Sequence, residues 1–383
     1  MSQPQFKEMR RAYGFDDVAI VPGGHHTINP TLVELSFKLG SLDFPLPFLA
    51  AAMDGVVDVR MATEFSKLGG LAVLNLEGVQ TRYEDPDPVL REIAGASKDA
   101  VTALMQKVYS APIQPNLIGE RIRQIKAAGG VAAVSSTPMN TKKFAPLAAD
   151  ADVDVFVVQS TVTSARHIST SEKGLIFDEL VQNMREIPVV VGNTVTFSAT
   201  KELMETGIAA VLIGVGPGAA CTSREVLGIG VPQVTATIDA AAARDTYYRE
   251  SGRYVPIITD GGITNGGAMC KAFAAGADAV MLGSILAATE EAPGHGHHWG
   301  MATPHGELPR GTRVKVGIDT TLRQTLFGPT SRTDGRENLV GALKTAMGTC
   351  GARTIRDFQK TELVIAPAIK SEGKSYQMEQ AFE

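Results

Sequence analysis

Cysteine is scarce in this sequence. Its 383 residues contain three, Cys221, Cys270 and Cys350. They lie so far apart that they form neither a metal-binding spacing nor a disulfide framework. Free thiols survive best in a reducing compartment, so a cytoplasmic protein is expected. An excess of positive charge is also lacking. Lys and Arg total 36 against 41 Asp and Glu, a net charge of −5, which gives no general pull on nucleic acid. No apolar run approaches the ~18 residues of a membrane span. Met1–Arg11 has no apolar core of the kind a secretory signal needs, so neither a membrane nor a nucleic-acid partner is expected. What is present fits a globular protein: 44% hydrophobic and 20% charged residues, with 39 glycines.

Those glycines punctuate a repeating pattern. Short apolar runs read as strands at Phe48–Ala52, Leu71–Leu76, Val131–Val134, Val153–Val158, Val189–Val191, Ala209–Ile213, Val255–Thr259 and Ala279–Leu282. Several are almost purely apolar, as strands covered on both faces must be. Helical spacing lies between them, at Val57–Leu68, Ala100–Val108, Leu117–Ala128, Phe177–Arg185, Thr196–Glu205, Ala236–Glu250 and Gly267–Ala275. Several of these helices close at glycine. Asp87 reads as a cap and Pro88 as the start of a further short helix, Val89–Ala94. Eight β-α units predict a (β/α)8 TIM barrel, a single domain over residues 1–383 with an opening segment at Arg10–Pro22. An open doubly wound sheet is the alternative, but it does not need eight such units.

In such barrels the active site lies on the loops after the strands. The residues to read are therefore Met53-Asp54, Gln159-Ser160, Gly192-Asn193-Thr194, the loop Gly214–Ser223, Asp260-Gly261-Gly262 and Gly283-Ser284. Cys221 sits at the end of a loop with three glycines and a proline in five positions, where backbone can approach a ligand closely. Two readings stay open: a nucleophilic thiolate, or an inert thiol beside a turn. The glycine turns after the seventh and eighth strands can aim N–H groups at a phosphate, although glycine serves ordinary turns equally well. Asp260 reads as a turn former or helix cap; beside a phosphate its charge is unfavourable unless it meets another part of the ligand, such as sugar hydroxyls. His295, His297 and His298 have no Cys or Asp beside them and make a weak metal pattern. Trp299, among them, reads as a lid or interface aromatic.

Together these motifs resemble the IMP dehydrogenase and GMP reductase family over nearly the whole chain. Phe15-Asp16-Asp17-Val18 with Val21-Pro22 resembles its opening FDDV…VP, and Ala52-Met53-Asp54 its SPMD or SAMD turn. Gly192-Asn193 matches its GN pair. Gly214–Ser223 resembles its catalytic loop GxGxGSxCTT, and Gly228–Gln233 its GVGxPQ. Asp260–Ile263 is its DGGI turn. Leu282-Gly283-Ser284 with Glu291–Gly294 resembles MGS…EAPG, and Gly300-Met301 resembles the GM of GMGS.

The resemblance implies an NAD-dependent oxidation of IMP to XMP through a covalent bond from Cys221 to C2 of the purine, in guanine nucleotide synthesis. In a GMP reductase the same thiol attacks GMP, ammonia leaves and NADPH supplies hydride. It also implies that Asp260 holds the ribose, that Gly262, Gly283 and Ser284 hold the phosphate, and that Met301 lies against the purine. Met53, Asn193, Gly218, Ala219, Gly261 and Gly300 complete the expected substrate site, and Gln159, Ser160, Gly214 and Gly216 the NAD site. Ser223 is expected to assist Cys221. Carbonyls of Gly216, Gly218 and Cys221, with Glu372-Gly373 from a neighbouring subunit, are expected to hold K+. A homo-oligomer, tetramer or octamer, is implied.

This chain departs from the family pattern in several places. Leu76 to Val131 is too short for the family's CBS insertion. Ala219 stands where the loop carries serine, Ala51 where serine is common, Ser223 where it carries a second threonine, and Gln159 where dehydrogenases carry aspartate. The flap, about 295–312, is short and has no Arg-Tyr pair, so water activation falls to His305, Glu307 or Arg310. The C-terminal tail is expected over about 362–383. A GMP reductase, or a nucleotide-binding protein with little turnover, are the alternative functions.

Overall fold

A computed structural model of the protein describes residues 8–168, 174–300 and 312–366. Eight parallel strands close into a barrel. They are β1 (Phe48–Ala50), β2 (Leu71–Asn75), β3 (Ala133–Ser136), β4 (Val155–Gln159), β5 (Val189–Thr194), β6 (Ala210–Ile213), β7 (Ile257–Asp260) and β8 (Ala279–Leu282). Each pairs with its neighbours in chain order, and β8 pairs with β1, Met281 opposite Leu49. The chain is thus a (β/α)8 barrel, as the eight-fold pattern predicts.

The helices that cover the barrel are α1 (Val59–Lys67), α2 (Pro115–Ala127), α3 (Pro138–Asp150), α4 (Phe177–Met184), α5 (Phe197–Glu205), α6 (Gln233–Ser251), α7 (Gly266–Ala274) and α8 (Leu339–Thr349). Side chains alternate along each strand. Val155 and Val157 of β4 enter the barrel interior with Val73, Leu212 and Ile258. Phe156 and Val158 turn outward into the layer beneath the helices. Burying each such side chain contributes roughly 1.5–3 kcal/mol. A hairpin, Phe37–Leu39 with Leu42–Phe44, adds Phe37, Leu39 and Phe44 to the interior cluster beside Leu71, where β2 begins. It closes the barrel at the end where the strands start, leaving the opposite end for ligands.

Two sequence expectations need correction. Helix α3 was absent from the pattern reading, because a threonine- and proline-containing stretch hides its period. Its buried residues Thr141, Phe144, Ala145 and Ala148 nonetheless follow helical spacing, and Pro138 suits a first turn. Asp87 is not a cap. It is the first residue of the helix Asp87–Gly95, Pro86 holds the capping position, and the Asp87 carboxylate accepts from Arg91 Nε at 2.7 Å.

That helix and its successor, Val101–Ser110, fill the connection between β2 and α2. The opening segment forms a strand, Val18–Ile20, antiparallel to Leu363–Ile365 at the start of the expected tail. Among the described residues no helix is long and apolar enough to cross a membrane.

Candidate active site

A cavity of about 330 Å³ opens at the end of the barrel where the strands finish. Every site residue expected from sequence that lies in the described part of the chain lines it. These are Met53, Gln159, Ser160, Asn193, Gly214, Gly216, Gly218, Ala219, Cys221, Ser223, Asp260, Gly261, Gly262, Gly283, Ser284 and Gly300. Met301, His305, Glu307, Arg310 and Glu372-Gly373 lie outside the described residues.

The Cys221 loop leaves β6 through Gly214, whose φ of +146° suits glycine. A β-carbon there would collide with the Asp260 carbonyl, so the loop departs in backbone contact with the end of β7. The loop then turns tightly, the Cys221 N–H donating to the Gly218 carbonyl at 3.0 Å. Cys221 is half-buried, its Sγ 3.3 Å from the buried Ser223 Oγ. A hydroxyl so placed can donate to the thiolate or receive the thiol proton. Cys270 contrasts with it: on α7 it is buried, and that burial pushes its thiol up to about 12. Such a thiol stays protonated and unreactive.

Opposite the loop, three side chains form a small network. Asp260 Oδ2 accepts from Asn193 Nδ2 at 2.8 Å and from Gln159 Nε2 at 3.0 Å. Gln159 Nε2 also reaches Asn193 Oδ1 at 3.1 Å. The Asp260 residue keeps some surface because it lines the cavity, but its carboxylate lies deep in the rim. Burial pushes it up to about 6, against the two amide donors that favour its ionised form. Among the described residues its hydrogen-bond partners include no cation. A carboxylate that faces a cavity with only two neutral donors has acceptor capacity left for hydroxyl groups of a ligand.

Asp260 continues into Gly261 and Gly262, with φ of +91° and +78°. Gly283 and Ser284 follow β8 on the adjacent rim. Ser284 Oγ lies 2.9 Å from Nε2 of His298, which also lines the cavity. Sequence reasoning weighed His298 only within a metal pattern and missed this contact. Its neighbours point elsewhere: His297 Nδ1 is 3.2 Å from the His295 carbonyl, and His295 Nε2 is 3.3 Å from Asp87 Oδ1.

The ends of β2 and β3 were also missed. Asn75, Glu77, Ser135, Ser136 and Thr137 line the same cavity. Glu77 is held in place, its Oε1 accepting from the Thr137 N–H at 2.6 Å. The rule that barrel sites collect at strand ends points to these residues as well. They fall outside the motifs quoted above. With Gln159 and Ser160 they make a polar wall, mostly neutral, on the side away from the glycine turns. Such a wall fits the polar groups of a ligand.

Trp299 is neither a lid nor an interface aromatic. It is fully buried against Val79, Leu90, Ile93, Val101, Met105 and Val108, the residues of the β2–α2 connection. Its indole Nε1 donates to Tyr109 Oη at 2.6 Å, and Tyr109 donates to Asp54 Oδ2 at 2.6 Å. Across the flap, Arg313 Nη1 donates to the Ala94 carbonyl at 3.0 Å. The described residues on both sides of 301–311 are therefore bound to the helical connection between β2 and α2.

Comparison with known proteins follows the same outline. The family model for the IMP dehydrogenase / GMP reductase domain matches residues 12–302. An uncharacterized oxidoreductase of Mycolicibacterium smegmatis is 37% identical over 365 residues, covering 93% of this chain and 97% of that protein. The inosine-5'-monophosphate dehydrogenase of Cryptosporidium parvum is 30% identical, covering 92% of each chain. The crystal structure of an IMP dehydrogenase/GMP reductase-like protein from Corynebacterium glutamicum superposes with a TM-score of 0.88 at 34% identity, covering 95% of this chain and 97% of that one.

Proposed function

The chain belongs to the IMP dehydrogenase / GMP reductase family of oxidoreductases, and we propose that it oxidises IMP to XMP. The observation that carries this reading is the sharing of one cavity by Cys221, the Asp260 network and the glycine turns after β7 and β8. A nucleotide laid across that rim puts its phosphate on Gly262, Gly283 and Ser284 and its ribose hydroxyls on Asp260. Its purine then lies beside Met53, near Cys221.

In the proposed reaction the Cys221 sulfur adds to C2 of the hypoxanthine, forming an S–C bond, and C2 loses its hydride. NAD+, when bound along Gln159, Ser160, Gly214 and Gly216, supplies the hydride acceptor. The chain's own residues hold the geometry: Asp260 and the glycine turns fix the nucleotide, and Ser223 handles the thiol proton. Water then adds to C2 and the S–C bond breaks, regenerating the thiol and releasing XMP. His305 and Arg310 are proposed for activating that water. The balance is IMP, NAD+ and water to XMP, NADH and a proton. The Gly218 carbonyl already accepts from Cys221 N–H, but a carbonyl has a second lone pair. K+ on the Gly216, Gly218 and Cys221 carbonyls therefore stays within the proposal. So do a cytoplasmic location, a single-domain chain without a CBS insertion and a homotetramer or octamer.

The test is direct. With IMP and NAD+, NADH absorbance grows and XMP forms. With GMP and NADPH nothing is consumed. Loss of NADPH with ammonia release would instead establish the reductase, and tight nucleotide binding with silence in both assays would leave a binding protein. Cys221→Ser is expected to abolish turnover and keep IMP affinity; turnover in that variant would overturn covalent catalysis.

A further inference from the structure

Ser284 has one hydroxyl proton, and its direction decides whether the turn after β8 presents a donor to the cavity. His298 sets that direction. It is 2% exposed, with Nε2 2.9 Å from Ser284 Oγ. Its Nδ1 is buried without a hydrogen-bond partner among the described residues. Burial, and to a smaller extent His297, hold the imidazole well below its ordinary range, at about 4, so it is neutral and carries one ring proton. Two tautomers are available.

With the proton on Nδ1, a buried N–H is orphaned, at a cost of roughly 1–3 kcal/mol. Nε2 must then accept the Ser284 proton, which removes that proton from the cavity. With the proton on Nε2, the imidazole donates to Ser284 Oγ, and only a lone pair is left unpartnered at Nδ1. The Ser284 hydroxyl hydrogen is then free to point elsewhere. Around it are Gly283, whose backbone shares the turn, and the cavity itself. The second arrangement avoids the orphaned donor, and so it is the favoured one.

We propose that His298 is a positioning residue for phosphate recognition: by donating from Nε2 to Ser284 Oγ, it turns the Ser284 hydroxyl proton toward a phosphate monoester held on the turns after β7 and β8. This rests on the nucleotide reading of the site. It adds a residue that the family motifs quoted above do not include. The serine becomes a donor polarised by an imidazole that never touches the reacting atoms. The effect is confined to ligands that carry the phosphate.

The experiment compares affinity for IMP with affinity for inosine, which lacks the phosphate, by calorimetry. Wild type is expected to bind IMP far more tightly. His298→Phe keeps ring volume but removes the N–H, and is expected to weaken IMP binding about tenfold, the worth of one hydrogen bond to a charged group. Inosine affinity stays unchanged. Ser284→Ala gives the same loss, and the double variant is no worse than either single one. His298→Gln, whose amide restores a donor, recovers most of the affinity. Should the phenyl ring not be accommodated, His298→Met makes the same comparison, with thermal melting to verify folding.

Equal weakening of IMP and inosine would show a merely structural histidine and overturn the inference. Additive losses in the double variant would do the same. If wild type itself fails to distinguish IMP from inosine, the phosphate reading falls, and the inference with it.

Discussion

Two aspartates, Asp278 buried and Asp260 half-buried, sit at opposite ends of neighbouring strands, and their surroundings have opposite character. Asp278 directly precedes β8, at the closed end of the barrel, and its side chain is 9% exposed. It accepts from Arg244 Nη1 at 2.8 Å, Tyr254 Oη at 2.5 Å, the Ile257 N–H at 2.9 Å and Gln359 Nε2 at 3.0 Å. Arg244 is itself 1% exposed and also donates to the Gly276 carbonyl. Burial and the neighbouring Asp278 hold the Tyr254 hydroxyl protonated, well above its usual range. Asp260 ends β7, at the open end, with two neutral amides for partners. One carboxylate is saturated and ties the layers together. The other keeps acceptor capacity for a ligand. Burial alone does not separate a structural from a functional aspartate; the completeness of its partners does.

Substitutions can break that contrast. Arg244→Met removes the cation and leaves Asp278 buried, so it is expected to cost about 3–5 kcal/mol of stability. Nucleotide KM should be unchanged. Urea unfolding measures the first and steady-state kinetics the second. A variant that kept its stability and lost nucleotide binding would reverse the assignment of the two ends.

Asp260→Asn is the converse. It is expected to lower kcat/KM for the nucleotide roughly 100-fold, from lost hydrogen bonds to a charged acceptor. Thermal stability should hold or rise, because a buried carboxylate without a cation is removed. A large drop in melting temperature with intact kcat/KM would make Asp260 structural.

The smallest effect is in pH. The folded-state pKa of Asp260, about 6, lies above the ordinary carboxylate value. The native state therefore binds this proton more tightly than the unfolded state does. Its contribution to stability is complete below the ordinary carboxylate pKa and is lost as pH rises through about 6. Ligand binding moves the other way, since only the ionised carboxylate accepts from both hydroxyls. Between about pH 5 and 8, kcat/KM is expected to rise with unit slope and level off above 6. The limb should vanish in Asp260→Asn; its persistence there would assign the ionisation to another group.

Much of this architecture is legible along the chain. The eight strands appear as apolar runs because both of their faces are covered, and glycine marks where helices stop. The residues that line the cavity follow once the strand ends are located. Misreadings came where a local signal was ambiguous. Pro138 and Pro146 obscured α3, and Trp299, among polar neighbours, gave no sign of its burial.

The sequence by itself determined the period of the barrel, the rim on which Cys221 stands and the glycine positions where backbone must pass close. These depend on residues adjacent in the chain. Tertiary structure alone decided which polar groups are paired. The Ser284–His298 contact spans 14 residues, Asp260–Asn193 spans 67 and Trp299–Tyr109 spans 190. None of these follows from local propensity, because each forms only when the barrel closes and brings distant loops onto one rim. The same closure leaves Asp260 with spare acceptor capacity and Asp278 with none.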